Sequence, residues 1–179
     1  LEELAIIIGI SKRYDNCKIF EIGSFTGRTS INLLHNNPKC YLTTLDLPDY
    51  DNIDTKLKFS LLKNDVKIAK TSERGFFFSK YQEFEKRVKI LIGDSAVFNF
   101  NDEYGKYDMV FIDGSHRYEN VVIDSQNALK LLKNNKGIIL WHDYSKNIPD
   151  VIRAVKEFKR NNNFNIYHIK RTKFAYLSL

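Results

Sequence analysis

Five short apolar runs rich in β-branched residues recur along the chain, and this recurrence limits the possible folds more than any other feature. The runs are residues 18–23, 41–47, 88–93, 107–113 and 137–142. Uninterrupted apolar runs of this length are typical of strands that are buried on both faces of a parallel sheet. Residues 29–35, 119–133 and 149–160 carry helical spacing between the runs. The alternation predicts an α/β fold, a doubly wound Rossmann-like sheet with helices on both faces.

The last part of the chain departs from this alternation. Residues 164–169 and 174–179 are two strand-like runs, and a short basic segment joins them. Such a pair predicts an antiparallel hairpin. Together with the five runs it predicts a seven-stranded sheet, mostly parallel, with an antiparallel C-terminal hairpin strand.

A single domain is expected to span residues 1–179, because no linker, internal repeat or low-complexity segment interrupts the pattern. Residues 1–17 are predicted to form an N-terminal helix that is truncated in this sequence. Residues 48–87 exceed a simple crossover, so we predict an insert that forms a lid or one wall of an acceptor site. The alternative is a helix packed on the core. The aromatic residues of this segment are Phe76, Phe77, Phe78, Tyr81 and Phe84.

Composition sets limits on partners and location. The net charge is +6, but the 28 lysines and arginines are spread along the chain, and only Lys170, Arg171 and Lys173 cluster. We interpret them mainly as solvated surface, which disfavours a nucleic-acid partner, although a non-catalytic nucleic-acid-binding module stays an alternative. Cys17 and Cys40 lack the spacing of a metal or redox motif, which favours a reduced, cytoplasmic protein. The apolar stretch 4–10 is too short to span a membrane.

The first run leads into a glycine-bearing turn and then a helix. A dinucleotide fingerprint requires glycines at positions one, three and six, but these positions hold Gly23, Phe25 and Arg28. Phe25 would obstruct a pyrophosphate, and the Glu21 carboxylate would repel a phosphate but attract an ammonium group. The turn therefore favours a ligand with an amino-acid end. An NAD(P)-dependent oxidoreductase, or a tight turn without a ligand, remains an alternative.

Acids also follow the second and third runs. Ligands of doubly wound sheets bind beyond the carboxyl ends of the strands. Asp46 is placed to bind the two hydroxyls of a ribose, and Asp94 is placed to accept a hydrogen bond from an adenine amino group. Each acid could instead cap the helix or turn that follows it.

The fourth and fifth runs deliver acids and histidines to the same edge of the sheet. Neighbouring strands lie about 5 Å apart, so Asp113 and Asp143 are predicted to share a divalent cation such as Mg²⁺ or Mn²⁺. His116 follows Asp113 by three residues. Its imidazole is our candidate base for removing a hydroxyl proton, against the alternative of a hydrogen-bonded loop residue. His142 is predicted to have a structural or supporting role.

These residues together resemble the class I S-adenosylmethionine-dependent methyltransferases, specifically the small-molecule and sugar O-methyltransferases whose fourth strand ends in Asp-Gly-x-His. The resemblance runs from Ile19 to the C-terminus, and its most specific parts are residues 107–118 and 137–144. Tyr144 is a departure, because an Asn or a second acid often completes the metal site at that position. The resemblance implies that the cofactor is bound by Glu21, Gly23, Ser24, Thr26, Gly27, Asp46, Leu47, Asp94, Ser95 and Asp113.

The resemblance also implies a reaction. We expect methyl transfer from S-adenosylmethionine to a hydroxyl of a small molecule or sugar, with His116 and Asp113 as catalytic residues. A metal at Asp113 and Asp143 would orient the acceptor. Nucleic-acid amino methylation is disfavoured, because that class typically carries Asn or Asp before Pro-Pro and an aromatic residue after the fourth strand. A cofactor-binding protein without turnover remains an alternative. The sequence leaves the oligomeric state open, with a homo-oligomer as one alternative.

Overall fold

A seven-stranded sheet organises the computed structural model, which describes residues 2–47 and 75–179. In chain order the helices and strands are α1 (Glu2–Ser11), β1 (Lys18–Ile22), α2 (Arg28–Asn36), β2 (Tyr41–Asp46), α3 (Phe76–Lys80), β3 (Val88–Ile92), β4 (Met109–Ile112), α4 (Tyr118–Leu131), β5 (Ile138–Trp141), α5 (Pro149–Asn162), β6 (Ile166–His168) and β7 (Ala175–Ser178). Short 3-10 helices cover Gln82–Arg87 and Lys133–Asn135.

The strand order is β3-β2-β1-β4-β5-β7-β6. The pairs from β3 to β5 are parallel, whereas β7 runs antiparallel to β5 and to β6. This confirms the predicted mostly parallel sheet with an antiparallel C-terminal hairpin. The order reverses between β1 and β4, where Ile22 pairs with Leu45 on one side and with Ile112 on the other. The switch point, where ligands of such sheets bind, therefore lies beyond the end of β1.

Helices cover both faces of the sheet, as predicted. On one face, Ile22 and Trp141 pack with side chains of α4 and α5, including Phe158. On the other face, Ile19 and Phe111 pack with α1 and α2. Each fully buried side chain of this size contributes about 1.5–3 kcal/mol relative to exposure. The two cores fix the sheet from both sides and hold its carboxyl edge in place.

Each predicted strand is one residue longer at its carboxyl end than the observed strand. Gly23 and Asp113 follow the strands, yet their backbone N–H groups still donate to Leu45 O and Ile22 O at 2.9 Å. The hydrogen bonding thus continues while the chain turns away, which a hydrophobic pattern does not reveal. The N-terminal helix ends at Ser11, and residues 12–17 form turns before β1.

The predicted insert is described only in part. Residues 48–74 lie outside the described residues, and residues 75–87 contain α3 and a 3-10 helix. The prediction of a lid or acceptor wall therefore stays a prediction. Across residues 2–47 and 75–179, no helix combines the length and the apolar character that crossing a membrane requires.

Candidate active site

Gly23 brings the ends of β1 and β4 into direct contact. It has a φ of +87°, and a Cβ on it would lie 2.3 Å from the backbone oxygen of Asp113 and 2.6 Å from the Cα of Gly114. Only glycine satisfies both the dihedral angle and this close approach. The space beside Gly23 is thus filled by the turn after β4.

Gly27 directly precedes α2 and has a left-handed backbone conformation. It packs against an aromatic ring. A Cβ on Gly27 would lie 2.8 Å from the ring of Phe78, on α3. The Phe77 N–H also donates to Thr26 O at 2.9 Å, which docks α3 onto the glycine turn. One of the three consecutive phenylalanines therefore covers the turn that the sequence assigns to the cofactor.

Asp46 holds the glycine turn from the neighbouring strand. Its Oδ2 accepts hydrogen bonds from the backbone N–H groups of Ser24 (2.9 Å) and Phe25 (2.5 Å), and its Oδ1 accepts one from Leu47 N–H (2.8 Å). The residue is only 9% exposed. The structure thus brings the predicted ribose acid together with the predicted cofactor turn.

Glu21 is more deeply buried than a free carboxylate in a crevice would be. It is 1% exposed, and the Ser30 hydroxyl donates a hydrogen bond to it. Burial, together with the nearby charge of Asp113, raises the pKa of Glu21 to about 8. The hydrogen bond from Ser30 acts in the opposite direction. Near neutral pH the carboxyl is therefore largely protonated in this structure, so its attraction for an ammonium group depends on losing that proton.

The turn after β3 contains Asp94 and Ser95. The Asp94 Oδ1 accepts a hydrogen bond from Ala96 N–H at 2.9 Å, which stabilises the turn. Beneath this turn lies Asp124 of α4, which is 1% exposed. Neither of its carboxylate oxygens accepts a hydrogen bond of ordinary geometry from the described residues.

Asp124 also reaches the turn after β4. A Cβ on Gly114 would lie 3.8 Å from the Asp124 Oδ2, and burial raises the pKa of Asp124 to about 7, partly opposed by the nearby Ser95 side chain. The carboxyl therefore lies between two turns of the site. Asp124 is not among the residues predicted from the sequence, although its spacing from Val121 and Ala128 puts it on the buried side of the helix.

An acid and imidazole cluster occupies the ends of β4 and β5. The Nδ1 of His142 lies 3.0 Å from Asp113 Oδ1 and 3.0 Å from Asp143 Oδ2. The Nε2 of His116 lies 2.7 Å from the same Asp143 oxygen. The sequence predicted that Asp113, Asp143 and His116 would meet here. The His142 imidazole bridges the two acids, which is compatible with the supporting role predicted for it.

Two residues from the ends of the chain complete the cluster. Neither was predicted from the sequence to belong to the site. Lys173, from the turn before β7, donates from Nζ to Asp143 Oδ1 at 3.0 Å. Glu3 of α1 lies 3.2 Å from His142 Nε2 through Oε2 and accepts a hydrogen bond from Lys173 N–H at 2.6 Å through Oε1. The basic group at residues 170–173 was visible in the sequence, whereas nothing marked Glu3.

The electrostatics of the cluster follow from these contacts. Burial opposes the charged form of His142, but the two carboxylates raise its pKa to about 11. Burial likewise opposes ionisation of Asp143, yet hydrogen bonds from His116, His142 and Lys173 hold its pKa well below the usual range. The cluster is therefore a network of ion pairs. A pocket adjoins it, with Gly114, His116 and Asp143 in its wall.

The predicted metal donors converge but are already paired. One donor atom each from Asp113, His142 and Asp143 lies within 4.8 Å of the others, a spacing that would suit a cation. However, Lys173 and His116 engage the two oxygens of Asp143. The residue after Asp143 is Tyr144, whose ring packs 5.5 Å from that of His168. In this arrangement both oxygens of Asp143 already have partners within the chain, and the predicted metal site stays a prediction.

Comparisons with known proteins place the chain in a family. Residues 20–144, more than half of the chain, match the family described as methyltransferase domain. No curated relative matches the sequence.

Solved structures share the fold at low sequence identity. The O-methyltransferase NovP has 18% identity and a TM-score of 0.70, with 99% of this chain and 79% of NovP covered. A Staphylococcus aureus protein proposed to be a caffeoyl-CoA O-methyltransferase has 18% identity and a TM-score of 0.68, with 99% and 82% covered. The SAH-bound Podospora anserina methyltransferase PaMTH1 has 14% identity and a TM-score of 0.66, with 97% and 76% covered.

The matched residues run from β1 to the turn after β5 and include the acids at the ends of β1, β2 and β4. It also decides between the methyltransferase and oxidoreductase alternatives that the glycine turn left open. The chain belongs to the class I S-adenosylmethionine-dependent methyltransferases.

Proposed function

We propose that the chain methylates a hydroxyl group of a small molecule or sugar, with His116 as the base that removes the hydroxyl proton. The observation that carries this proposal is the 2.7 Å contact between His116 Nε2 and Asp143 Oδ2 in the wall of the pocket at the ends of β4 and β5. A histidine held by a buried carboxylate has a fixed orientation, as general-base catalysis requires.

The tautomer of His116 follows from this contact. When Nε2 carries a proton and donates it to the Asp143 carboxylate, the proton-accepting nitrogen of the neutral imidazole is Nδ1. As Nδ1 takes up the acceptor proton, the imidazole becomes positively charged, and the Asp143 carboxylate stabilises that charge. Asp143 thus orients the base and compensates its charge.

The cofactor is proposed to bind at the other side of the switch point. Glu21, Gly23, Ser24, Thr26 and Gly27 would surround its amino-acid end. Asp46 and Leu47 would bind the ribose. The rest of the cofactor would be bordered by Asp94, Ser95 and Asp113. Asp46 lies at the end of β2, the strand end from which an acid binds the ribose in sheets of this kind. S-adenosylmethionine supplies a methyl group on a positively charged sulfur, which is electrophilic without further activation.

Conversion of S-adenosylmethionine to S-adenosylhomocysteine, measured with a panel of catechols, phenols and sugars, tests the proposal. We expect His116→Ala to lower turnover by about 10²-fold or more with saturating acceptor. The matched control is His35→Ala, because His35 is exposed on α2. Equal turnover for His116→Ala and the wild type would remove His116 from this role.

The remaining predictions concern partners and location. We propose a small-molecule acceptor rather than a nucleic acid, because the basic residues are dispersed. A cytoplasmic location is supported by Cys17 and Cys40, which are buried free thiols. The single domain and the homo-oligomer stay predictions. The Mg²⁺ or Mn²⁺ ion predicted at Asp113 and Asp143 is not part of the proposed mechanism, because the oxygens of Asp143 are already paired.

A further inference from the structure

Both oxygens of Asp143 are engaged by groups of this chain. Lys173 Nζ lies 3.0 Å from Oδ1, and the imidazole nitrogens of His116 and His142 lie 2.7 Å and 3.0 Å from Oδ2. Asp143 is 8% exposed, so little of it is left for another partner. A divalent ion bound to this carboxylate would have to displace at least one of the three groups.

The second carboxylate of the predicted metal site is paired as well. Asp113 Oδ1 lies 3.0 Å from His142 Nδ1, and the opposite nitrogen of that imidazole lies 3.2 Å from Glu3. An ion bridging Asp113 and Asp143 would therefore replace the contacts that His142 Nδ1 makes with the two carboxylates. Tyr144, next along the chain, offers no carboxylate in its place.

Lys173 is held in position through its backbone. Its N–H donates to Glu3 Oε1 at 2.6 Å, and its carbonyl oxygen accepts a hydrogen bond from Tyr144 N–H at 2.8 Å. The C-terminal hairpin is thereby fixed to α1 and to the end of β5. These backbone contacts on both sides of the Cα place the Lys173 side chain beside Asp143.

We infer that Lys173 is the resident cation of the acceptor site and excludes a divalent ion, so that the protein works without a metal. This inference rests on the proposed function, because it concerns the carboxylate that orients His116. Lys173 is a positioning residue: it neutralises Asp143 Oδ1 while Oδ2 stays with His116. A dication close to an ammonium group is repelled, which weakens metal binding as long as Lys173 is present.

Binding of Mn²⁺, followed by electron paramagnetic resonance, tests the inference without any turnover. The proteins are the wild type, Lys173→Gln, Lys173→Arg and Lys170→Gln. Lys170 is the matched control, because it is exposed on the same turn and pairs with no carboxylate in the described parts of the chain. Thermal unfolding and binding of S-adenosylhomocysteine verify that each variant is folded.

We expect Lys173→Gln to bind one Mn²⁺ about tenfold or more tightly than the wild type. Lys173→Arg and Lys170→Gln should behave like the wild type, because they keep the positive charge at residue 173. Tight binding of one Mn²⁺ by the wild type, or equal affinities of the wild type and Lys173→Gln, would overturn the inference. Failure of the proposed function would appear separately, as turnover that does not depend on His116.

Discussion

Replacement of Gly23 by alanine should destabilise the protein through two separable effects. The first is the φ of +87°, which costs an L-residue about 1–2 kcal/mol. The second is the overlap of the new Cβ with the Asp113 carbonyl oxygen, at 2.3 Å, which forces the turns after β1 and β4 apart. Overpacking of this kind costs about 1–3 kcal/mol, so the total is about 3 kcal/mol.

Two other glycines serve as controls. Gly105 has a φ of +71°, and a Cβ on it would meet no atom within 4 Å, so Gly105→Ala should show only the backbone cost. Gly9 lies in α1 with open space around it, and Gly9→Ala should stabilise the helix by up to about 1 kcal/mol. The assay is thermal unfolding. For a domain of this size about 3 kcal/mol lowers Tm by about 6–12 °C.

The comparison between Gly23→Ala and Gly105→Ala is decisive. We expect the former to lose about 1–3 kcal/mol more than the latter. If the two variants lose the same stability, the contact between the turns after β1 and β4 is looser than the structure shows, and the reasoning is wrong.

Two further predictions follow from the same turn. The pKa of Glu21 in the folded state, about 8, lies above its ordinary value of 4.5, so its stabilising contribution is complete below pH 4.5 and is lost as the pH rises through 8. Between pH 5 and 9, the free energy of unfolding of Glu21→Gln should therefore fall less than that of the wild type, by at most about 5 kcal/mol. Urea unfolding measures it, and parallel pH dependences of the two proteins would contradict the prediction. Gly27→Ala should destabilise the wild type more than it destabilises the Phe78→Ala variant, because that variant lacks the ring that the new Cβ would meet. If the losses of the two single variants simply add in the double variant, in thermal unfolding, the contact is refuted.

The ends of the strands were the predictable part of the site. Buried parallel strands have a clear apolar pattern, and the residue after each pattern must lie at the carboxyl edge of the sheet. Asp46, Asp113 and Asp143 could therefore be placed together from the sequence alone. The exact last residue of each strand could not, because Gly23 and Asp113 continue the hydrogen bonding after the chain has turned.

The residues that complete the cluster were not predictable in the same way. Glu3 and Lys173 are 170 positions apart, and they meet His142 and Asp143 only because α1 and the C-terminal hairpin pack at the same end of the sheet. No local pattern encodes such a contact. Asp124 is a different case, since a carboxylate among apolar helix positions was a visible signal of a buried acid.

The roles of the two turn glycines were also only partly predictable. The sequence indicated that Gly23 and Gly27 allow a close approach, and it assigned that approach to a ligand. In the structure the backbone of Asp113 and the ring of Phe78 make the approach. Which neighbour fills the space beside a glycine depends on the tertiary fold.

The central claim is that the edge formed by β1, β2 and β4 binds S-adenosylmethionine. Thermal unfolding of the wild type with S-adenosylhomocysteine, and separately with NAD, tests it directly. A ligand at 100 times its Kd stabilises the folded state by about 2.7 kcal/mol, so saturating S-adenosylhomocysteine should raise Tm by several degrees. NAD should leave Tm unchanged. A rise with NAD and none with S-adenosylhomocysteine would contradict the account.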